Sequence, residues 1–296
     1  MVQEVEWSEG VEERLLSSMG SSYPLLSLAG IKALGKAAHE GRCRVFEAGT
    51  PGALLGLLEA RPGVRLILGP VSTSRAQLVQ ELPAIRQFLE ETIAQISPRP
   101  KAWLITIVDP AREDGFRQSF HPLTMRDGPW FGDDLVKAGF SLRHIAQRSM
   151  VELAISPCSL DDQLGGGWHI DQVPDVPIDL FIEVYNETIQ DAPNFVPMKA
   201  SDFDDAAPGT LRVLFVNDTA AGFFNFSPYE GILCGVGVRK PFRGTWVTKL
   251  LIASALEAAA VDGRVLVDID ERNLVATRVA CRYGAVPLLK YKVYSL

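Results

Sequence analysis

The pattern of apolar and polar positions predicts the same series of helices and strands in both halves of the chain. In the second half, apolar residues recur at helical spacing over 178–190, and the run Ser201 to Asp205 predicts a short helix. Strands are predicted over 211–216, 220–226 and 231–238, a helix over 245–260, a strand over 264–269, a helix over 274–283 and a strand over 288–294. The resulting order is α-α-β-β-β-α-β-α-β.

The first half gives this order again. Helices are predicted over 11–19 and 25–39, strands over 44–47, 53–58 and 64–68, a helix over 75–96, a strand over 103–108, a helix over 131–137 and a strand over 140–153. Pro83 lies inside the helical pattern of 75–96 and should kink that helix or split it in two. The repeated order indicates two copies of one mixed α/β unit.

A segment of linker composition separates the two copies. It contains the three glycines Gly165 to Gly167, with Pro157 before them and Pro174 and Pro177 after them. We therefore predict a first domain over residues 1–160, a linker over 161–177 and a second domain over 178–296. The length of 296 residues agrees with two domains, since a single core seldom serves so long a chain.

Composition and charge remove several classes of function. The net charge of −7 disfavours a surface that wraps nucleic acid. The acidic N-terminus does not resemble a signal peptide and no run has the length of a membrane span, so we expect a cytoplasmic protein with no membrane partner. The four cysteines are far apart and form no CxxC pair, which favours buried reduced thiols over a metal site.

The strongest chemical signal is the stretch from Gly237 to Ile252. There a β-branched strand runs through Pro241 and the pair Arg243-Gly244 into a long helix. Such a strand-to-helix turn presents backbone N–H groups and the positive end of the helix to an anion. The stretch therefore predicts a phosphate site.

These residues resemble the acetyl-CoA motif of the GCN5-related N-acetyltransferase family, which can be written V-x-x-P-x-x-R/Q-G-x-G-x-G/A. The matching positions are Val238, Pro241, Arg243 and Gly244, and Asn273-Leu-Val-Ala276 resembles a second family element. The resemblance covers 178–296. The first half shares the element order and a similar helix ending over 134–140, but its turn over 69–75 lacks the Arg-Gly pattern.

The resemblance implies two tandem acyl-CoA N-acyltransferase-like domains, the first degenerate, and an N-acetyltransferase that uses acetyl-CoA or another acyl-CoA. The implied acceptor is a small-molecule or peptide amine, and the oligomeric state stays open, a homodimer included. The pantetheine arm is expected along the strand edge, and the pyrophosphate on the turn. The cofactor-binding residues so implied are Val236, Gly237, Val238, Arg243, Gly244, Thr245, Trp246, Val247, Thr248 and Asn273.

Two features of the motif leave alternatives open. Trp246 and Thr248 stand where the family often has glycine, so the indole of Trp246 either points away, packs at the helix start, or blocks the pyrophosphate. Ala280 stands where many members have a tyrosine that acts as a general acid. The alternative to an enzyme is therefore a catalytically degenerate binding or regulatory module.

The candidate catalytic groups are Glu230, Asp268 and Tyr283. Glu230 or Asp268 could serve as the base that an amine with a pKa of about 10.4 requires, and Tyr283 could lie near the position of the missing tyrosine. The acidic residues Glu183, Glu187 and Asp202 fall in the region that forms the acceptor-side wall in the family, which suggests a cationic acceptor or a solvated surface.

Overall fold

A computed structural model describes residues 2–17, 35–49, 52–61, 64–72, 74–96, 100–110, 125–126, 131–153, 167–193, 195, 197–203, 206–228 and 231–296. The chain divides into two compact units. Unit 1 comprises Met1–Ala146 and Leu289–Leu296, and unit 2 comprises Gln147–Leu288.

Unit 1 is built on a mixed sheet. Its elements are β1 (Val2–Val5), α1 (Glu9–Ser17), β2 (Cys43–Gly49), β3 (Gly52–Arg61), β4 (Val64–Val71), α2 (Arg75–Ala94), β5 (Lys101–Pro110), β6 (Met125–Arg126), α3 (Phe131–Lys137) and the first part of β7 (Ser141–Glu152). The sheet order is β1-β2-β3-β4-β5 followed by β13 (Val286–Ser295), and β6 also pairs with β5. The β4–β5 pair is parallel.

The long helix α2 forms the core of unit 1 together with the sheet. Leu78, Leu82, Ile85 and Leu89 are buried against strand residues, and Tyr294 of β13 belongs to the same cluster. The helix continues through Pro83, so the predicted split is wrong. Buried side chains on both sides of the proline hold the two parts of the helix against one sheet, and this packing outweighs the lost hydrogen bond.

Unit 2 has the same kind of sheet with helices on both faces. Its elements are the end of β7, β8 (Trp168–Gln172), α4 (Ile178–Ile189), a 3₁₀ turn (Ala200–Phe203), β9 (Leu211–Val216), β10 (Thr219–Ser227), β11 (Ile232–Val238), a 3₁₀ turn (Lys240–Phe242), α5 (Trp246–Ala259), β12 (Arg264–Asp270) and α6 (Leu274–Arg282). The sheet order is β7-β12-β11-β10-β9-β8.

The two faces of the unit 2 sheet carry separate apolar clusters. On one face, Phe181 and Val184 of α4 pack on Val213 and Phe223. On the other face, Leu250, Leu251 and their neighbours on α5 pack on residues that include Leu214, Phe224 and Val238. The alternation of side chains along β10 explains why Phe223 and Phe224 lie in different clusters.

The predicted order of elements is confirmed within the described residues, although the first half also has the short strands β1 and β6. Most of the helix predicted over 25–39 lies outside the described residues. The expected linker 161–177 contains β8, which pairs antiparallel with β9 from Trp168↔Val216 to Gln172↔Arg212. Its residues pair with residues 40 to 48 positions further along the chain, and the glycines and prolines around it obscured the strand pattern.

The division into units also differs from the expected boundaries of 1–160 and 178–296. Residues 147–152 complete the sheet of unit 2, and residues 289–296 complete the sheet of unit 1. Each unit therefore takes a strand segment from the other half of the sequence. Periodicity shows that a strand forms but not which sheet it joins.

Candidate functional site

The two parallel strands β11 and β12 part soon after they begin to pair. Their register contains Ile232↔Leu266 and Leu233↔Val267 and no later pair. At the same level β11 bulges against β10, because Asn225 pairs with Gly235 while Phe226 pairs with Leu233. Cys234 is the extra residue of this bulge. The rest of β11 therefore presents a backbone edge that is not paired with β12.

The register of β11 with β10 shows which backbone groups face this opening. Arg239 N–H donates to the carbonyl oxygen of Ala221 at 2.9 Å. Hydrogen-bonded pairs alternate in an antiparallel ladder, so Gly237 bonds to β10 while the amides of Val236 and Val238 point towards the opening. Val236 and Val238 therefore suit the strand-edge role implied for them, and Gly237 does not share it.

Gly237 is required by the packing of α4 on the sheet. A Cβ atom at this position would lie 2.3 Å from Thr188 Oγ1 and 2.6 Å from the ring of Phe223. The missing side chain lets helix α4 and the Phe223 ring lie close to β11.

The turn from β11 to α5 holds two unused N–H donors. The amides of Arg243, Thr245 and Thr248 donate to backbone oxygens, and Val247 N–H donates to Thr245 Oγ1, which caps α5. Within the part of the chain that the structure describes, the amides of Gly244 and Trp246 have no such partner. A side chain at Gly244 would meet nothing within 4 Å. Both donors thus lie at the positive end of a helix, where an anion binds favourably.

Trp246 is 40% exposed and is not part of the apolar cluster under α5. The interpretation of Trp246 as a packing residue at the helix start is therefore not supported. Thr248 was expected among the cofactor-binding residues, and its Oγ1 donates to the carbonyl oxygen of Phe242 at 3.3 Å. Thr245 Oγ1 donates to the same oxygen at 2.7 Å.

Arg243 binds protein backbone. Its Nε donates to the carbonyl oxygen of Val238 and its Nη2 to that of Thr188, both at 2.9 Å, and Nη1 lies 3.6 Å from a carboxylate oxygen of Asp191. Its pairing with phosphate stays a prediction, and the guanidinium joins the end of α4 to the end of β11. It fixes the shape of the turn that carries the free amides.

The side chain of Asn273 also serves the fold. Its Oδ1 accepts a hydrogen bond from Ala276 N–H at 3.1 Å and caps α6. A capping oxygen is a common use of Asn at a helix start. This contact accounts for the asparagine without a cofactor.

Asp268 is held by a buried arginine. Its two carboxylate oxygens accept from Nε (2.6 Å) and Nη2 of Arg148, whose side chain is 6% exposed. A carboxylate engaged on both oxygens is poorly suited to remove a proton, so the expected role of Asp268 as a general base is not supported. Glu230, the other candidate base, lies outside the described residues.

Tyr283 lies at the C-terminal end of α6, and its hydroxyl donates to the carbonyl oxygen of Lys249 at 3.4 Å. Burial raises the pKa of Tyr283, so the phenol keeps its proton at neutral pH. A protonated phenol can act as a general acid, although this hydroxyl is directed at the backbone of α5.

The expectation of buried thiols is correct for Cys43 alone among the described cysteines. Burial raises the pKa of Cys43 to about 12. Cys234 is exposed because it occupies the bulge of β11, and Cys281 is exposed because α6 buries none of its residues. Cys158 lies outside the described residues.

The acidic residues expected on the acceptor side are largely engaged by ion pairs and hydrogen bonds within the chain. Glu183 and Glu187 both bind Arg239, with Glu187 Oε2 at 2.8 Å from its Nε. Asp202 accepts from Lys199 N–H at 2.9 Å. Among the residues that the structure describes, no cluster of His, Cys, Asp and Glu suits a metal, and no helix is long and apolar enough to cross a membrane.

Sequence reasoning missed Arg148, Thr188, Asn225 and Arg239. None of the four gave a signal, because their roles depend on which strand or helix lies next to them. Arg148 stands between Gln147 and Ser149 in a strand that is polar at many positions.

Comparisons with known proteins agree on the fold. No family model matches the chain, and no curated protein matches it. A GCN5-related N-acetyltransferase from Sphaerobacter thermophilus aligns with 86% of this chain and 79% of its own, with a TM-score of 0.54 and 14% identity. One from Kribbella flavida aligns with 91% of this chain and 95% of its own, with a TM-score of 0.52 and 13% identity.

A putative acetyltransferase from Pyrococcus horikoshii covers 100% of this chain and 89% of its own, with a TM-score of 0.51 and 12% identity. These alignments are longer than either unit, so they include residues of both. The chain has the mixed α/β fold of the GCN5-related N-acetyltransferases.

Proposed function

We propose that this protein is an acyl-CoA-dependent N-acyltransferase, with acetyl-CoA as the donor and the cofactor held in unit 2. The observation that carries the proposal is the parting of β11 from β12 directly before a turn with two free amides, those of Gly244 and Trp246. An unpaired strand edge followed by an anion-binding helix start suits a ligand that has an amide chain and a pyrophosphate.

The residues present fit acyl-CoA. The N–H groups of Gly244 and Trp246 would hold the pyrophosphate, helped by the dipole of α5. The amides of Val236 and Val238 would pair with the pantetheine arm as an added strand does. Arg243 contributes by fixing the turn, because it binds the carbonyl oxygen of Val238.

Acyl-CoA supplies an acyl group activated as a thioester. The residues of this chain have to orient an amine towards that group, exclude water and allow the amine to lose one proton. The amine must reach the site without its proton, because an ammonium has no lone pair for attack. A thiol with a pKa of about 8.5 is an adequate leaving group, so the alanine at 280 does not rule out turnover.

Isothermal titration calorimetry with acetyl-CoA tests the binding part, and release of free thiol in the presence of primary amines tests the transfer. Binding in the micromolar range together with steady thiol release is the expected result. Absence of binding at millimolar acetyl-CoA would contradict the proposal.

A non-catalytic acyl-CoA-binding module is the second candidate function. It is favoured by the engagement of Asp268 with Arg148 and by the alanine at position 280. It predicts that acetyl-CoA binds but that no primary amine increases thiol release. Steady acyl transfer to any amine would exclude it.

A further inference from the structure

A row of polar side chains crosses the sheet of unit 2 at the level where β11 and β12 part. It consists of Asn225 on β10, Asp268 on β12 and Arg148 on β7, and we call it the polar row. Asn225 lies opposite Gly235, directly beside the bulge, and Asp268 is the first residue of β12 after the last pair with β11.

The position of Arg148 follows from the antiparallel contacts of β7 with β12. Leu153 N–H donates to the carbonyl oxygen of Gly263 at 2.8 Å, and Glu152 binds Arg264 with 3.6 Å between Oε1 and Nε. The same register brings residue 148 opposite 268, where the bidentate ion pair is found. Successive strands thus bring the three side chains to one level.

The three side chains also share one face of the sheet. Val265 and Val267 are buried with Leu256 of α5, so Asp268 between Val267 and Ile269 points to the opposite face, and its partner Arg148 must do the same. Asn225 lies on the face that carries Phe223 and α4, because a Cβ atom on Gly235 would contact both Asn225 Oδ1 and the Phe223 ring. This face is the one opposite α5.

The amide oxygen of Asn225 is shielded from solvent and accepts no hydrogen bond among the described residues. Burying such an oxygen without a hydrogen bond is costly, so native proteins seldom keep one without a use. The side chain as a whole is only partly buried, and its oxygen lies over β11, since a Cβ atom on Gly235 would be 2.5 Å from it. Asp268 beside it is 26% exposed and its charge is balanced by Arg148.

We propose that the polar row is the subsite for the amine of the acyl acceptor. Asn225 Oδ1 accepts a hydrogen bond from the amine N–H, and Arg148 acts as a positioning residue that holds Asp268. This inference rests on the proposed function, and it places the amine beside the end of β11 that a pantetheine arm reaches from the turn. Val238 and Cys234 are four residues apart, or about 13 Å along the strand.

The chemistry of the row suits an amine that has to be neutral. A carboxylate without a partner would stabilise the ammonium form and raise the pKa of the amine. A carboxamide oxygen and a balanced ion pair carry no net charge, so they raise the pKa of the amine much less. In the transfer, the amine nitrogen bonds to the acyl carbon and the carbon–sulfur bond breaks. The electron pair leaves on sulfur, and the nitrogen gives up one proton, which the thiolate or water accepts.

The test uses the full-length protein with acetyl-CoA and n-butylamine as the probe amine. Asn225→Ala should lower kcat/KM for n-butylamine about tenfold or more, as for one lost hydrogen bond, while the Kd of acetyl-CoA is not raised and the Tm is not lowered. Asn225→Asp should shift the rise of kcat/KM to higher pH, because a free carboxylate holds the amine protonated. A purely structural role would not produce this shift in the pH profile.

Asp268→Asn should also lower kcat/KM for n-butylamine, and Glu152→Gln is its matched control on the same strand pair. If Asp268→Asn fails to fold, the kinetics of the Asn225 variants still test the inference. Unchanged kcat/KM in Asn225→Ala would overturn the inference. If the wild-type protein binds acetyl-CoA but does not acylate n-butylamine, the affinity for n-butylamine is measured instead by titration into the CoA complex. Equal affinities of the wild type and Asn225→Ala for n-butylamine would then overturn the inference. Failure of acetyl-CoA to bind at all would instead contradict the proposed function.

Discussion

The guanidinium of Arg243 donates to the carbonyl oxygen of Val238, five residues before it, and to that of Thr188 on helix α4. The motif arginine therefore closes the loop between β11 and α5 and ties it to α4. Its charge is engaged by the chain itself, with Asp191 Oδ2 at 3.6 Å from Nη1. The arginine thereby fixes the geometry of the turn.

Arg243→Lys should lower the free energy of unfolding by roughly 1–2 kcal/mol, because an ammonium cannot replace the fork that reaches two carbonyl oxygens. Chemical denaturation measures the effect. Lys240→Ala is the control, since Lys240 is exposed and binds the same Asp191 at 3.6 Å. Equal stabilities of Arg243→Lys and the wild type would contradict the structural role.

Trp246→Pro and Trp246→Ala separate the amide from the indole. Trp246 is the first residue of α5, a position where proline is tolerated, and the preceding Thr245 is already extended. Both variants lose the indole but only proline loses the N–H donor. We expect Trp246→Pro to weaken acetyl-CoA binding about tenfold relative to Trp246→Ala in calorimetry, as for a hydrogen bond to a charged group. Equal affinities would mean that this amide does not bind the cofactor.

Gly237→Ala should destabilise the fold by about 1–3 kcal/mol, because the added methyl group would overlap Thr188 and the Phe223 ring. Gly10→Ala serves as a control, since Gly10 lies in α1 and a Cβ atom there would meet nothing closer than 3.9 Å. That control should be neutral or slightly stabilising. Thermal unfolding of the two variants distinguishes the outcomes, and a neutral Gly237→Ala would show that α4 does not need this close approach.

Cys43 should make stability depend on pH at alkaline values. Its pKa is raised by burial to about 12, above the value in the unfolded chain. The folded state therefore keeps the proton longer, and the contribution is fully present below about pH 8.5 and is lost as the pH rises towards 12. Cys43→Ala should flatten the fall in unfolding free energy over this range. An unchanged slope would mean that other groups cause the fall.

Thiol labelling at pH 8 gives a separate check on the same cysteine. Cys234 and Cys281 are exposed and should react rapidly with a maleimide, while Cys43 should react only after unfolding. Mass spectrometry of peptides from the labelled protein identifies the sites. Rapid labelling of Cys43 in the folded protein would contradict its burial.

The sequence by itself determined the series of helices and strands and the place of the turn from β11 to α5. Periods of 2 and 3.6 residues depend on neighbours along the chain, so 211–216, 131–137 and the start of α5 could be predicted closely. The turn could also be predicted, because a strand, an Arg-Gly pair and a helix are consecutive in sequence.

Only the tertiary structure decided what the individual side chains do. Arg243 binds Thr188, Asp268 binds Arg148 from the other half of the sequence, and Gly237 makes room for α4. It also decided that residues 147–152 complete the sheet of unit 2, which the second half of the sequence mainly forms. Residues 289–296 complete the sheet of unit 1, which the first half mainly forms. The physical reason is that a charge or a strand edge must find a partner, but the chain pattern does not say which of several distant partners the packing brings near.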